Sequence, residues 1–316
     1  MAVAVQDVAA QLQSTQPKPR DVLKAAVDRA IENGAEPITG IPASVSINAQ
    51  AFKRMVQQAA LILEKDESRF PLICCQIRAS GGKLWLEVAS SWRYLRQYEI
   101  IDPAADWCAC VRVSDKLPGQ SGLVQIAERI SGRKCDDSMV INLQFDRDAL
   151  VVTYEPGYRS WGLKAEPFQE RIPHQVCSFP NLDMVTPDES KYTTDVTVCA
   201  ADLVRISAAC AALTDPESIV NTLFTFEGTK VTAQPLNACP GLETDGISAN
   251  LTGQSQLHPI GEPISVAFQH RFIVDAGKLA ADMPGSLIRI RMATPTSPVM
   301  FNAGCDYLVM PVHTTR

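Results

Sequence analysis

The chain has 316 residues, 46% of them apolar, a formal net charge of −6 and ten cysteines. That length and apolar share allow two domain-sized cores. No stretch approaches the ~20 consecutive apolar residues of a membrane span, and the acidic balance excludes a protein coated all over in basic surface, though not a local basic stripe.

The opening "MAVAVQDVAAQLQ" lacks a basic n-region and carries Asp7 early, so no secretory signal is expected and the protein is placed in the cytoplasm. Its cysteines are scattered through apolar segments of a long chain and read as reduced core thiols rather than a disulfide framework. Within residues 1–43, "DVLKAAVDRAIENG" predicts a short helix with Asp21 near its start and Gly34 after its end. The segment "QPKPR" separates it from an apolar stretch, giving a helical N-terminal extension.

Beyond residue 43 the chain repeats itself. The first copy opens with the alternating "SVSIN" and runs into "AQAFKRMVQQAALIL", where Phe52, Val56, Ala59 and Leu63 recur at helical spacing. Then come "FPLICCQIRA", a turn at Gly81 and Gly82, and "KLWLEVAS". The same order of strand, helix and hairpin returns in "DVTVC", "AADLVRISAACAAL", "NTLFTFEG" and "KVTAQ" around Gly228. Each copy has a second half. In the first it is "CACVRVSDKL", the helical "GLVQIAERI", "SMVINLQF" and "ALVVTYE". In the second it is "PISVAFQHRF", the helical "IVDAGKLAADM", "SLIRIRMA" and "PVMFN". The expectation is an α+β protein with two tandem domains, residues 44–190 and 191–316, each mostly antiparallel sheet with two helices. The polar, turn-prone "PDESKYTT" marks the join.

Sorting the helices by face leaves a basic bias in an acidic protein. Lys53 and Arg54 lie off the apolar stripe of the first helix, and Arg129, with Arg133 and Lys134 just beyond, off that of the second. Arg205 stands on the third, and His270, Arg271 and Lys278 face Asp275 and Asp282 on or beside the fourth. Solvation explains any one charged face. Four equivalent helices leaning the same way suit sequence-independent contact with phosphates, which needs Lys and Arg but no base readout. Stacking aromatics are missing from these faces, so single-strand binding is disfavoured.

Three separated motifs complete the pattern. The ending "YLVMPV" resembles the C-terminal strand of the bacterial DNA polymerase sliding clamp, the beta subunit of the replicative polymerase. "FPNLDMVTP" resembles the Phe-Pro-Asp-Tyr-x-x-Val-x-Pro motif that closes that family's middle domain, and "SSWRYL" lies where the family has Asp-Gly-His-Arg-Leu. The resemblance implies DNA-clamp domains matching the middle and last of the family's three. It further implies a processivity factor that encircles duplex DNA, with polymerase and clamp-loader peptides as partners. The peptide groove it implies contains Arg93, Tyr94, Pro180, Val185, Pro298, Leu308, Val309, Met310, Pro311 and Val312. The DNA-facing set would be Lys53, Arg54, Arg129, Arg133, Lys134, Arg205, Arg271 and Lys278. Where the family has Asp-Gly-His, this chain has Ser90, Ser91 and Trp92. A ring of six domains from two-domain chains needs three copies.

Two other readings compete. One keeps the clamp fold as a monomeric module that sequesters clamp-binding peptides; a variant of it has the N-terminal extension complete a different closure. The other is an enzyme, which the sequence disfavours. "PGQSGL" is not a nucleophile elbow, no P-loop lysine or paired zinc motif occurs, and the four histidines stand apart from acid or cysteine clusters. No cofactor, metal or membrane is expected.

Overall fold

A computed structural model describes residues 44–64, 72–102, 105–113, 122–131, 140–155, 167–175, 177, 179–180, 183, 185–227, 230–239, 247–250, 257–259, 264–281 and 283–312. The expected N-terminal helix, the turn at Gly228, and Arg133, Lys134 and Cys135 lie outside the described residues. The chain divides into two units, Met1–Pro42 and Ala43–Arg316, and all that follows concerns the second.

The first repeat runs β1 (Val45–Asn48), α1 (Ala49–Ile62), β2 (Cys74–Ser80), β3 (Lys83–Ala89), β4 (Arg93–Ile100), β5 (Trp107–Arg112), α2 (Leu123–Ser131), β6 (Val140–Asp146), β7 (Ala149–Glu155) and β8 (Phe168–Pro173). The second runs β9 (Thr194–Cys199), α3 (Ala200–Ala212), β10 (Asn221–Glu227), β11 (Lys230–Pro235), β12 (Ile247–Asn250), β13 (Leu257–Pro259), β14 (Ile264–Gln269), α4 (His270–Leu279), β15 (Leu287–Met292), β16 (Val299–Asn302) and β17 (Asp306–Val309). The protein is α+β, and its strand pairings are antiparallel.

Local chemistry sets these elements. The Asn48 side chain accepts hydrogen bonds from the N–H groups of Gln50 at 2.8 Å and Ala51 at 3.1 Å, capping α1 where its backbone donors have no helical partner. Phe52, Met55, Val56, Ala59 and Ile62 then fall on one buried face of α1. Gly81 and Gly82, at φ of +59° and +71°, supply the left-handed backbone of a two-residue hairpin between β2 and β3.

The repeat seen in sequence is a repeat of pairing. β1-β6-β7-β8 form one sheet, and their counterparts β9-β15-β16-β17 lie in the same order within another. β4-β3-β2-β5 and β12-β11-β10-β14 likewise correspond. Two of these four sets fuse: β17 pairs with β4, opposing Tyr307 to Leu95 and Leu308 to Tyr94, so a nine-stranded sheet crosses from one repeat into the other. Short β13 extends it at the β9 edge. Helices cover the inner side of the sheets, α1 against α2 and α3 against α4, and α1 also meets α4 across the repeats. Under α4 an aromatic chain runs Phe224, Phe268, Phe301, Tyr307, with the Tyr307 hydroxyl donating to the Phe272 carbonyl at 3.4 Å.

Two boundaries differ from the sequence expectation. The strand expected through Phe272 ends at Gln269, and the helix expected over Ile273–Met283 occupies His270–Leu279. Phe272, Ile273, Ala276 and Leu279 form its buried face, so Phe272 belongs to the helical period and not to the strand. Strands β4, β8, β12 and β13 had no sequence counterpart. In β4, "RYLRQYEI", the inward Gln97 donates from Nε2 to the Met55 carbonyl at 2.6 Å while Tyr98 and Ile100 stay exposed, which reverses the usual apolar-in pattern.

Helices α3 and α4 approach closely at Gly277, where an added Cβ would stand 2.5 Å from Val204 Cγ2. Gly277→Val is expected to destabilise the fold by about 1–3 kcal/mol in urea unfolding, the usual cost of overpacking, and Val204→Ala in the same chain should recover part of that loss. Equal stability of parent and Gly277→Val would show that the helices are not in register at this point.

Candidate functional site

The junction between the repeats builds a groove. On the outer side of the nine-stranded sheet, Ala89, Tyr94, Met300 and Leu308 form a small buried cluster separate from the main core, with Leu72, Phe179 and Tyr192 packed against it. Above it lies an open, mostly apolar groove of about 250 Å³, lined by Leu72, Ala89, Ser90, Ser91, Trp92, Arg93, Tyr94, Pro180, Val185, Leu308 and Met310. Trp92, Val185 and Met310 stand on its rim with 49%, 48% and 36% of their surface exposed, a high exposure for large apolar side chains. Beyond the end of β17, the Met310 N–H donates to the Trp92 carbonyl at 2.8 Å and fixes the rim.

Six of the ten expected groove residues therefore meet: Arg93, Tyr94, Pro180, Val185, Leu308 and Met310. Val309 does not line it, because successive side chains of a strand point to opposite faces and Val309 is fully buried in the main core with Tyr307. Pro311 is buried, Val312 donates its N–H to the Ala267 carbonyl at 2.8 Å, and Pro298 is half-buried just before β16; none of the three reaches the lining. Sequence reasoning missed Leu72 and Ala89; it named Ser90, Ser91 and Trp92 at the motif position without counting them in the lining, which they join.

Arg93 has a second task. Its Nη1 donates to Asp275 Oδ2 of α4 at 2.6 Å, with only 10% and 13% of the two side chains exposed. The guanidinium also lies 4.8 Å from the Phe272 ring centre and reaches the Leu61 and Ile62 carbonyls at the end of α1, at 3.5 and 3.4 Å. One side chain thus joins β4, α1 and α4 across the junction, and its charge is already engaged. Burial raises the Tyr94 phenol, so it stays neutral.

The cations expected on the helices are present but largely paired. Arg54 bonds Glu99, Arg129 bonds Glu170, Arg205 reaches Asp202 at 3.1 Å and Lys278 reaches Asp275 at 3.3 Å. Arg271 donates to the Gln269 side chain, and Lys53 is half-exposed. His270 leaves the set: its Nδ1 hydrogen-bonds Ser207 Oγ at 2.8 Å across the α3–α4 contact, and burial lowers its pKa. Among the described residues, no helix is long and apolar enough to cross a membrane, and no cluster of His, Cys, Asp and Glu suits a metal ion.

The arrangement of strands and helices recurs in solved structures. The DNA polymerase III beta subunit from Thermotoga maritima superposes with a TM-score of 0.67 at 17% identity, over 89% of this chain and 70% of that one. The chain has the sliding-clamp fold. The Pseudomonas aeruginosa sliding clamp bound to griselimycin gives a TM-score of 0.67 at 13% identity over 89% and 69% of the two chains. The Bacillus subtilis clamp gives 0.65 at 12% over 90% and 68%. No protein-family model matches the sequence, nor does any curated protein.

The Arg93–Asp275 pair should be worth far more than the ion pairs of the helical face. Arg93→Ala leaves the largely buried Asp275 carboxylate with only the exposed Lys278 ammonium as its partner and is expected to cost about 3 kcal/mol of unfolding free energy, against less than about 1 kcal/mol for Arg54→Ala. Urea titration of both variants checks the ranking, and equal losses would remove the special role of Arg93.

Proposed function

We propose that the protein is a DNA sliding clamp: a processivity factor whose copies close around duplex DNA and dock short peptide motifs of polymerases and clamp loaders in the groove beside Met310. The observation that carries this reading is the junction itself. β17 of the second repeat pairs with β4 of the first, and among the described residues their counterparts β8 and β12 are outer edges of the two four-stranded sheets. Unpaired edges invite strand addition, and β8 of one copy meeting β12 of the next would repeat the internal junction in head-to-tail fashion. A ring of six such repeats takes three copies, with the helices turned inward.

Lys53, Arg54, Arg129, Arg205, Arg271 and Lys278 would then face the phosphates. Their carboxylate partners reduce the net charge of that face, which suits weak, sliding contact more than tight binding. Exposed ion pairs are worth little and exchange readily for a phosphate. The same pairing is the observation that favours the alternative, a clamp-fold module that binds peptides without forming a ring. Under both readings the protein binds rather than catalyses.

In the groove, a client's apolar side chains would sit over Tyr94 and Leu308, between Val185 and Met310, with Met310 adapting its shape to each client. The groove is mostly apolar, so affinity should respond to apolar truncation. Met310→Ala, which removes a rim side chain already exposed and so spares the fold, is expected to weaken binding of polymerase-derived peptides by on the order of 1–3 kcal/mol in calorimetry. Unchanged affinity in a folded Met310→Ala variant, repeated for Val185→Ala, would refute docking at this groove.

A further inference from the structure

Behind the groove lies a cluster of thiols that none of these roles uses. The Sγ atoms of Cys110, on β5, and Cys177, in the segment after β8, are 3.0 Å apart. Cys110 is buried with Ile73 and Cys74, and Cys177 packs on them while remaining partly open to solvent. The approach is built by the backbone: the Cys110 N–H donates to His174 Nδ1 at 3.0 Å, and the Gln175 N–H donates to the Cys110 carbonyl at 2.7 Å. Two residues past that anchor stands Cys177. Two residues further, Phe179 packs both on this cluster and on the floor of the groove.

We propose that Cys110 and Cys177 are an oxidation site, a thiol pair that a peroxide closes to a disulfide, tying the segment between the repeats to β5. The sulfur separation exceeds a disulfide bond by about 1 Å, a distance that side-chain rotation in a connecting segment can cover. The two thiols differ in acidity. The hydrogen bonds from Cys110 and from Cys74 pull Cys177 well below the ordinary thiol range, while the Cys110–Cys177 bond raises Cys110. The more accessible sulfur is thus the more acidic of the two, and the thiolate is the reacting form.

The chemistry balances with hydrogen peroxide as oxidant. Cys177 Sγ⁻ attacks one peroxide oxygen, the O–O bond breaks, and hydroxide leaves, giving the sulfenic acid. Cys110 Sγ then attacks Cys177 Sγ, the S–O bond breaks, and the Cys110 proton leaves with the hydroxyl as water. Two thiol sulfurs are oxidised by two electrons and one peroxide is reduced. The closed bond would fix Phe179 and with it the groove wall that carries Pro180.

The test uses the folded full chain, treated with hydrogen peroxide, quenched with an alkylating agent and digested without reduction. The expected result is one linked peptide pair, Cys110 to Cys177, with two of the ten thiols lost in a denatured thiol titration and regained with dithiothreitol. Free alkylation of both cysteines after peroxide, a sulfinic acid at Cys177 with no link, or a link from Cys177 to Cys74 would each overturn the assignment. The readout is covalent and does not depend on whether the protein is a clamp.

Discussion

The antiparallel pairing of β17 with β4 is the constraint on which the rest depends. It joins two four-stranded sets, β9-β15-β16-β17 and β4-β3-β2-β5, into one sheet, and it places the last described strand beside the turn that carries Trp92. Backbone ladders alone would leave the two halves free to twist about this seam. Arg93 locks it from the inner side by joining the end of α1 to Asp275 of α4, while Tyr94 and Leu308 lock it from the outer side. Both locks come from adjacent residues of one strand, pointing to opposite faces as strand geometry requires. The groove is therefore a by-product of the seam: its floor is the outer lock, and its rim is where the chain leaves the sheet.

That geometry explains why an apolar run stands so near the end of the sequence. Tyr307 and Val309 fill the core under α4, and Leu308 and Met310 face the groove. An unbroken "YLVMPV" shows that both sides of the strand are occupied but not which residue serves which side. The family resemblance assigned Leu308 through Val312 to the groove; alternation divides them.

Much of the fold was legible because its signals are local. The 3.6-residue stripe of α1, the paired glycines of the β2–β3 hairpin and the doubled order of elements all follow from neighbours in sequence. The parts that were not legible depend on contacts made elsewhere. Strand β4 hides its alternation because its inward Gln97 is satisfied by a helix carbonyl, while its outward Tyr98 stays half-exposed beside the Lys83 ammonium, 4.2 Å from the ring centre. Arg93 read as a groove residue, yet its partner is 182 positions away on α4. The helical cations were read without their partners: Glu99 and Glu170, which pair with Arg54 and Arg129, sit on strands whose positions the helical period does not reveal.

In the proposed ring, the β17–β4 junction inside the chain is repeated between chains by β8 and β12. The most direct measurement is the mass in solution by light scattering across a range of concentrations, with an image of the particle at low resolution. The expected result is a mass three times that of one chain and a closed ring with a central opening. A single-chain mass that persists at the highest concentration would contradict ring closure and leave the clamp fold serving peptide capture alone.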